Sequence, residues 1–155
     1  MSNAQLAWLI ILRIVIGWHF LYEGYVKLMN PGWSSIGYLK DSKGPFSEFF
    51  YFFASHPTIL KVIDLLNEWG LSLIGLCLIL GLSSRIAALG GMVLLSMYYL
   101  SHPPYTGLDY TVPSEGNYLL INKTLIEFCA MGVLSLFQTS RSIGMDRLLQ
   151  RKNNC

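Results

Sequence analysis

Residues 5–28 read QLAWLIILRIVIGWHFLYEGYVKL and run directly into Met29-Asn30-Pro31-Gly32. A helix that crosses hydrocarbon needs about 20 apolar residues. This stretch has that length, and its charged side chains are Arg13, Glu23 and Lys27. The Pro-Gly pair then stops it. No basic segment precedes the run, and the run is too long for the apolar region of a cleaved leader, so it is read as a first membrane span.

Three further apolar stretches follow. They cover about residues 58–82 after His56-Pro57, 84–102 up to His102-Pro103-Pro104, and 117–138. The expected fold is an all-α integral membrane protein, a four-transmembrane-helix bundle forming one domain. Outer loops occupy 29–57 and 103–116, and a cytoplasmic tail occupies 139–155. Composition agrees: of 155 residues, 53% are hydrophobic and 13% charged, against about a quarter charged in an average soluble domain. A net charge of +2 is too small to indicate nucleic acid. Within the first loop, Phe46, Phe49, Phe50 and Phe53 fall at i, i+3, i+4 and i+7, one face of a helix too short to span. That segment is read as an interfacial aromatic anchor or as a lid over a pocket.

Four spans put both termini and the Ser83–Arg85 turn on one side, with Arg85, Arg141, Arg147, Arg151 and Lys152. The opposite side holds Lys27, Lys40, Lys43 and Lys61, and its second loop has no Lys or Arg. Termini inside is the expected orientation, with the lipid bilayer as the first partner.

Charged groups in hydrocarbon are costly and face the bundle interior. Span one carries Arg13, His19, Glu23 and Lys27; span two Asp64, Asn67 and Glu68; span four Asn122, Lys123 and Glu127. Chain direction places most of them in the outer half of the bundle. Glu127 is expected about 15 Å deep and Arg13 at similar depth, which leaves the two able to pair near the midplane. Such a layer is read either as a register-fixing ion network or as a pocket that handles protons. Asp64 and Lys27 also suit snorkelling to the interface.

Cys77, Cys129 and Cys155 form no C-x-x-C pair, and no Cys/His group has zinc spacing. No metal is expected, and with no second helix histidine, no two-histidine haem site. No phosphate loop, Ser/His/Asp arrangement or dinucleotide fingerprint appears. Ser83, Ala87 and Gly91 form a small-residue stripe that permits close helix contact, within one chain or between chains.

Residues 12–33, LRIVIGWHFLYEGYVKLMNPGW, resemble the opening helix of the DoxX/DoxD-like family. Residues 66–92, LNEWGLSLIGLCLILGLSSRIAALGGM, resemble its second and third helices with their G-L-x-[ST]-R turn. INKTLIEFCAMGVLSL and the later SIGMDRLL resemble the fourth helix and the closing G-x-D motif. The matching residues are Arg13, Gly17, Gly24, Lys27, Trp33, Asn67, Glu68, Arg85, Asn122 and Glu127. The long aromatic first loop resembles the DoxD type, the small membrane subunit of thiosulfate:quinone oxidoreductase or terminal quinol oxidase. The resemblance implies a four-helix bundle in a prokaryotic cytoplasmic membrane and electron transfer from a reduced sulfur compound to quinone.

On that reading, quinone enters between helices. Glu23, Glu68 and Glu127 are the candidate catalytic proton carriers. Arg13, His19, Lys27, Asn67, Asn122 and Lys123 are the candidate substrate-binding groups. A partner subunit or a second copy of the chain completes the electron path. The alternative is a non-catalytic membrane scaffold whose buried charges fix register and dock a partner. A small-solute transporter is the weaker third reading, because no broken-helix pair is present.

Overall fold

The computed structural model describes residues 1–105, 107–111 and 119–147, with backbone alone at residue 141. Its helices are α1 (Asn3–Leu28), α2 (Ile36–Lys40), α3 (Ser47–Ser55), α4 (Pro57–Leu80), α5 (Ser84–Ser101) and α6 (Lys123–Leu136), followed by a 3₁₀ turn at Thr139–Arg141. No strand occurs among the described residues.

Local chemistry sets the ends. A capping box starts α1: Ser2 Oγ accepts from Gln5 N–H at 3.2 Å, and Gln5 Oε1 accepts from Ser2 N–H at 2.8 Å. Pro57 occupies the first turn of α4, where its missing N–H is harmless. Gly81 ends α4 with φ 65°, and Leu82 N–H returns to the Cys77 carbonyl at 2.9 Å, closing a Schellman-type turn.

α1 and α4 are long and apolar enough to cross a membrane. Only 22% and 17% of their most apolar windows are buried, whereas a core helix of a soluble protein is mostly buried. Trp8, Trp18, Leu66, Leu73, Ile86 and Val93 all stand exposed on the helix surfaces. A continuous apolar exterior of this kind marks a surface that meets something other than water.

One core joins the four longer helices. Ile16 and Phe20 of α1, Leu71 and Leu78 of α4, Ala88 and Leu95 of α5, and Met131 and Leu134 of α6 form it. α1 packs along α4, α5 packs along α6, and α4 meets α5 between the pairs. Gly91 lies against the Met131 methyl and the Phe20 ring. The small-residue stripe on α5 therefore serves contact within one chain. A second cluster of Leu39, Phe50 and Ala54, with Leu60, Ile63 and Leu100, packs α2 and α3 onto the loop-side ends of α4 and α5.

Three sequence expectations change. The fourth helix begins at Lys123, not near residue 117, because the Asn122 side chain accepts from Leu125 N–H at 3.0 Å and Leu119 sits at φ 65°. At 1.5 Å per residue, α6 rises only about 21 Å. Phe46 precedes α3, so the four phenylalanines do not all lie on one helix face: Phe50 is buried, Phe53 half-buried and Phe49 exposed, with the Phe49 and Phe53 rings 4.3 Å apart. The segment after α6 is no free tail. Asp146 N–H donates to the Gly81 carbonyl at 3.0 Å, and Ser84 Oγ–H donates to Ser140 Oγ at 2.8 Å. Arg151, Lys152, Cys155 and residue 117 lie outside the described residues.

Candidate functional site

α1 turns its Glu23–Lys27 edge inward at its loop-side end, and the first loop folds back over it. Asp64 of α4 fixes that fold: its carboxylate accepts from Ser34 Oγ–H and Ser35 N–H, both at 2.8 Å, and from Ser35 Oγ–H. Asp64 is thereby a fastener for the loop and not a snorkelling charge. The fold-back brings Trp33 and Tyr38 above the gap between α1, α4 and α5, and α3 closes one side with Phe50 and Phe53. The half-open cavity measures about 620 Å³, within the span usual for small-molecule sites, about 300–1,000 Å³.

Polar groups gather at one part of its wall. Lys27 Nζ lies 5.2 Å from the Trp33 ring centroid and 5.7 Å from that of Tyr98. Its side chain is 15% exposed, and its ion pair with Glu23, at 3.9 Å, is long. Glu23 is 50% exposed and stands at the rim. Tyr98 O–H donates to Asn67 Oδ1, and Tyr38 O–H donates to the Tyr98 carbonyl at 3.4 Å. The remaining wall is apolar, and Leu66, Val93 and Met97 belong both to the cavity lining and to the exposed helix surface. The cavity therefore reaches the apolar exterior between α4 and α5.

The sequence-derived candidates separate into groups. Glu23, Lys27 and Asn67 line the cavity; Glu68, Asn122 and Lys123 do not. Glu68 is near enough for its charge to act on Lys27. Asn122 caps α6. His19 Nδ1 lies 2.7 Å from Glu127 Oε1, joining α1 to α6. His19 is one turn from Glu23, and Glu127 is three residues from Thr124, which lines the cavity. The Arg13–Glu127 pair that similar depth allowed does not form. Arg13 donates to Thr139 Oγ1 at 3.0 Å and to the Ile143 carbonyl at 2.9 Å. The late start of α6 explains the correction: Glu127 stands opposite His19, six residues or about 9 Å from Arg13 along α1.

Sequence reading missed Tyr38, Ser35 and Ser101 as cavity residues. Their only signal is a tyrosine and serines in a turn-rich loop and at a helix end, which periodicity does not weigh.

Behind the Tyr38 wall lies His102, one residue past α5. Its ring stacks on Tyr38 at 3.9 Å and faces Tyr110 at 4.7 Å. Burial pulls its pKa down to about 4; the Asp41 carboxylate opposes this and the Lys43 charge adds to it. The unfolded chain therefore binds a proton below about 6.5 that the folded chain refuses until about 4. Stability contributed by neutral His102 is full above pH 6.5 and is lost as pH falls through that window. Thermal unfolding at pH 7, 5.5 and 4 is expected to show this fall, and His102→Gln is expected to flatten it.

Among the described residues, no three His, Cys, Asp or Glu side chains group as a metal site. What the fold defines is an all-helical protein with an apolar exterior and a cation-bearing, aromatic-walled cavity near one end. The chain matches the DoxX family over residues 8–103 and belongs to it. The matched region holds every cavity-lining residue except Thr124. No curated protein and no solved structure matches the chain. The family and the apolar helices together suggest a membrane protein.

Proposed function

We propose that this chain is an integral membrane subunit of a quinone-linked oxidoreductase, a four-helix bundle of the DoxD type whose cavity takes the quinone head group. The observation that carries the reading is Lys27: an ammonium set against two aromatic faces in a mostly apolar chamber open toward the apolar exterior. Such a chamber suits a ring with polar oxygens and an apolar tail.

The residues fit that group. Lys27 and the second N–H of Asn67 Nδ2 offer donors for carbonyl oxygens, Trp33 and Tyr38 offer ring surfaces, and the Leu66–Val93–Met97 side admits a tail. When bound, a quinone supplies redox chemistry that takes up or releases protons with electrons. This chain's part is to hold the head group, exclude water with Phe50 and Phe53, and keep proton-carrying groups near it. Glu23 stands at the rim for that role, and the His19–Glu127 pair lies one turn deeper. The chain has no C-x-x-C pair, so the reading assigns electron delivery to a partner subunit. Arg85 and Arg147 lie on the side of the termini, which supports a prokaryotic inner membrane with both termini cytoplasmic.

The test uses protein in lipid nanodiscs with Trp8, Trp18 and Trp69 replaced by Phe, leaving Trp33 as the fluorophore. Decylubiquinone is expected to quench it saturably. Lys27→Met removes a charged donor worth about 1.5–3 kcal/mol, so affinity is expected to fall about 10–100-fold. Equal affinity in wild type and Lys27→Met overturns the reading.

One observation favours the scaffold alternative: Arg13, Asp64 and Asn122 are all engaged in bonds that hold the fold. A scaffold predicts no saturable quenching and loss of a co-purifying partner on surface substitution.

A further inference from the structure

The cavity wall is thin at one place. Ser101, at the end of α5, is fully buried, lines the cavity, and has its Oγ 3.1 Å from His102 Nδ1. The other ring nitrogen, His102 Nε2, is buried and has no hydrogen-bond partner among the described residues. It points to Asp41, with Oδ2 3.9 Å away, and the two side chains are 13% and 10% exposed. Asp41 in turn accepts from Thr111 N–H at 2.7 Å, and Thr111 and Asp109 are exposed. A row of groups thus leads from the cavity through Ser101 and His102 and, across a 3.9 Å gap, to Asp41 beside the exposed loop.

We propose that Ser101, His102 and Asp41 form the port through which a ligand in the cavity exchanges protons with water on the loop side. This rests on the reading of the cavity as a site for an ionisable quinone-class ligand. The groups facing His102 are Tyr38 from α2, Tyr110 and Lys43 from the two loops, and Asp41. The two phenols hold the ring flat, so its nitrogens point along the line from Ser101 to Asp41.

The tautomer that suits both sides carries its proton on Nε2, leaving Nδ1 to accept from Ser101 Oγ–H. In release, the ligand O–H bond breaks and its proton passes to Ser101 Oγ. The proton of Ser101 passes to Nδ1, and the Nε2 proton leaves toward Asp41 and then water. Uptake is the reverse. No electrons move along this path. The 3.9 Å gap at Asp41 must close by about 1 Å, or hold a water, before transfer; such contacts tighten when ligand binds. An imidazole kept neutral at neutral pH by burial is in the state that accepts a proton.

The sequence conceals this arrangement because Asp41 and His102 are 61 positions apart in different loops. Ser42 and Lys43 bring them together: Lys43 N–H donates to the Ser101 carbonyl at 3.3 Å, and Ser42 Oγ–H donates to the same oxygen at 2.8 Å.

The experiment uses 2-hydroxy-1,4-naphthoquinone, a quinone whose acidic hydroxyl changes its visible absorption on ionising. The full chain in nanodiscs is loaded with it, and a stopped-flow pH jump reads how fast the bound molecule gains or loses its proton. His102→Ala and Ser101→Ala are both expected to slow this exchange at least about tenfold, and His102→Ala, which lies behind the cavity wall, is expected to leave affinity within about twofold. Added imidazole is expected to restore the rate in His102→Ala, which a merely structural role does not predict. Unchanged exchange in both variants, or no rescue by imidazole, overturns the port and leaves the ligand reading standing. Absence of binding by the wild-type protein overturns the ligand reading, and the port falls with it.

Discussion

Gly75→Leu is expected to lower the thermal midpoint of the purified protein by on the order of 10 °C and to impair quinone binding with it. The reason is a backbone-to-backbone approach. A Cβ at Gly75 meets Leu21 N, Leu21 Cα and the Gly17 carbonyl, all main-chain atoms of α1. Gly24, seven residues from Gly17, is equally tight against Ser72. Heptad spacing keeps these contacts on one seam. At Gly75 no flexible side chain stands in the way to swing aside, so α1 and α4 must separate. Overpacking costs typically about 1–3 kcal/mol, and a main-chain clash belongs at or beyond the top of that range. About 3 kcal/mol corresponds to roughly 6–12 °C for a chain of this size. The same separation moves Lys27 on α1 away from Asn67 on α4. Gly37→Ala is the control, because a Cβ there meets nothing within 4 Å, and it is expected to leave the midpoint within about 1 °C. Equal stability of Gly75→Leu and wild type means that the helices do not touch at this seam.

What the sequence disclosed follows from what helical geometry alone determines. Glu23 and Lys27 are four residues apart on one helix, so any packing of α1 carries them together, and both reach the cavity. Asn67 was legible for the same reason, as a polar residue on the face of α4 shared with Leu71 and Gly75, which are buried. Pro31 and Pro57 marked helix ends because their backbone chemistry is local. What stayed hidden depends on where loops return. Tyr38 enters the cavity wall only because Asp64 captures Ser34 and Ser35. His102 becomes a neighbour of Asp41 only through the meeting of two loops. The pairing of Glu127 depended on a single boundary: once Asn122 starts α6 there, Glu127 sits about 6 Å into the helix instead of deep within it. It then finds His19 and not Arg13.

Arg13→Ala is expected to destabilise the protein by about 3–5 kcal/mol, with no change of quinone affinity in the folded fraction. Arg13 is 3% exposed and ties α1 to the segment after α6 and to the α4–α5 turn. Its guanidinium donates to Thr139 Oγ1 and to the Ile143 carbonyl beyond α6. It also stands where a Cβ at Gly81 would meet it at 3.2 Å, so the α4–α5 turn must be glycine there for this reason as well as for its φ. Asp146 completes the knot by accepting from Ser83 N–H at 2.7 Å. Partial burial works to raise the Asp146 pKa. Hydrogen bonds from Ser140, Ser83 and Ser84 and the charge of Arg13 together outweigh it, and the carboxyl sits below its ordinary value. Truncating Arg13 removes two charge-assisted bonds, each worth about 1.5–3 kcal/mol, and strands their acceptors. Arg13→Lys retains the charge but not the fork that reaches two acceptors at once, so it is expected to recover only part of the loss. Glu127→Gln is expected to leave this knot intact, which separates the observed bonding from the pairing that hydropathy and depth suggested. Arg13 and Lys27 stand 14 residues, about 21 Å, apart along α1. A substrate-binding Arg13 predicts the opposite pattern: a large loss of decylubiquinone affinity in Arg13→Lys with the thermal midpoint preserved.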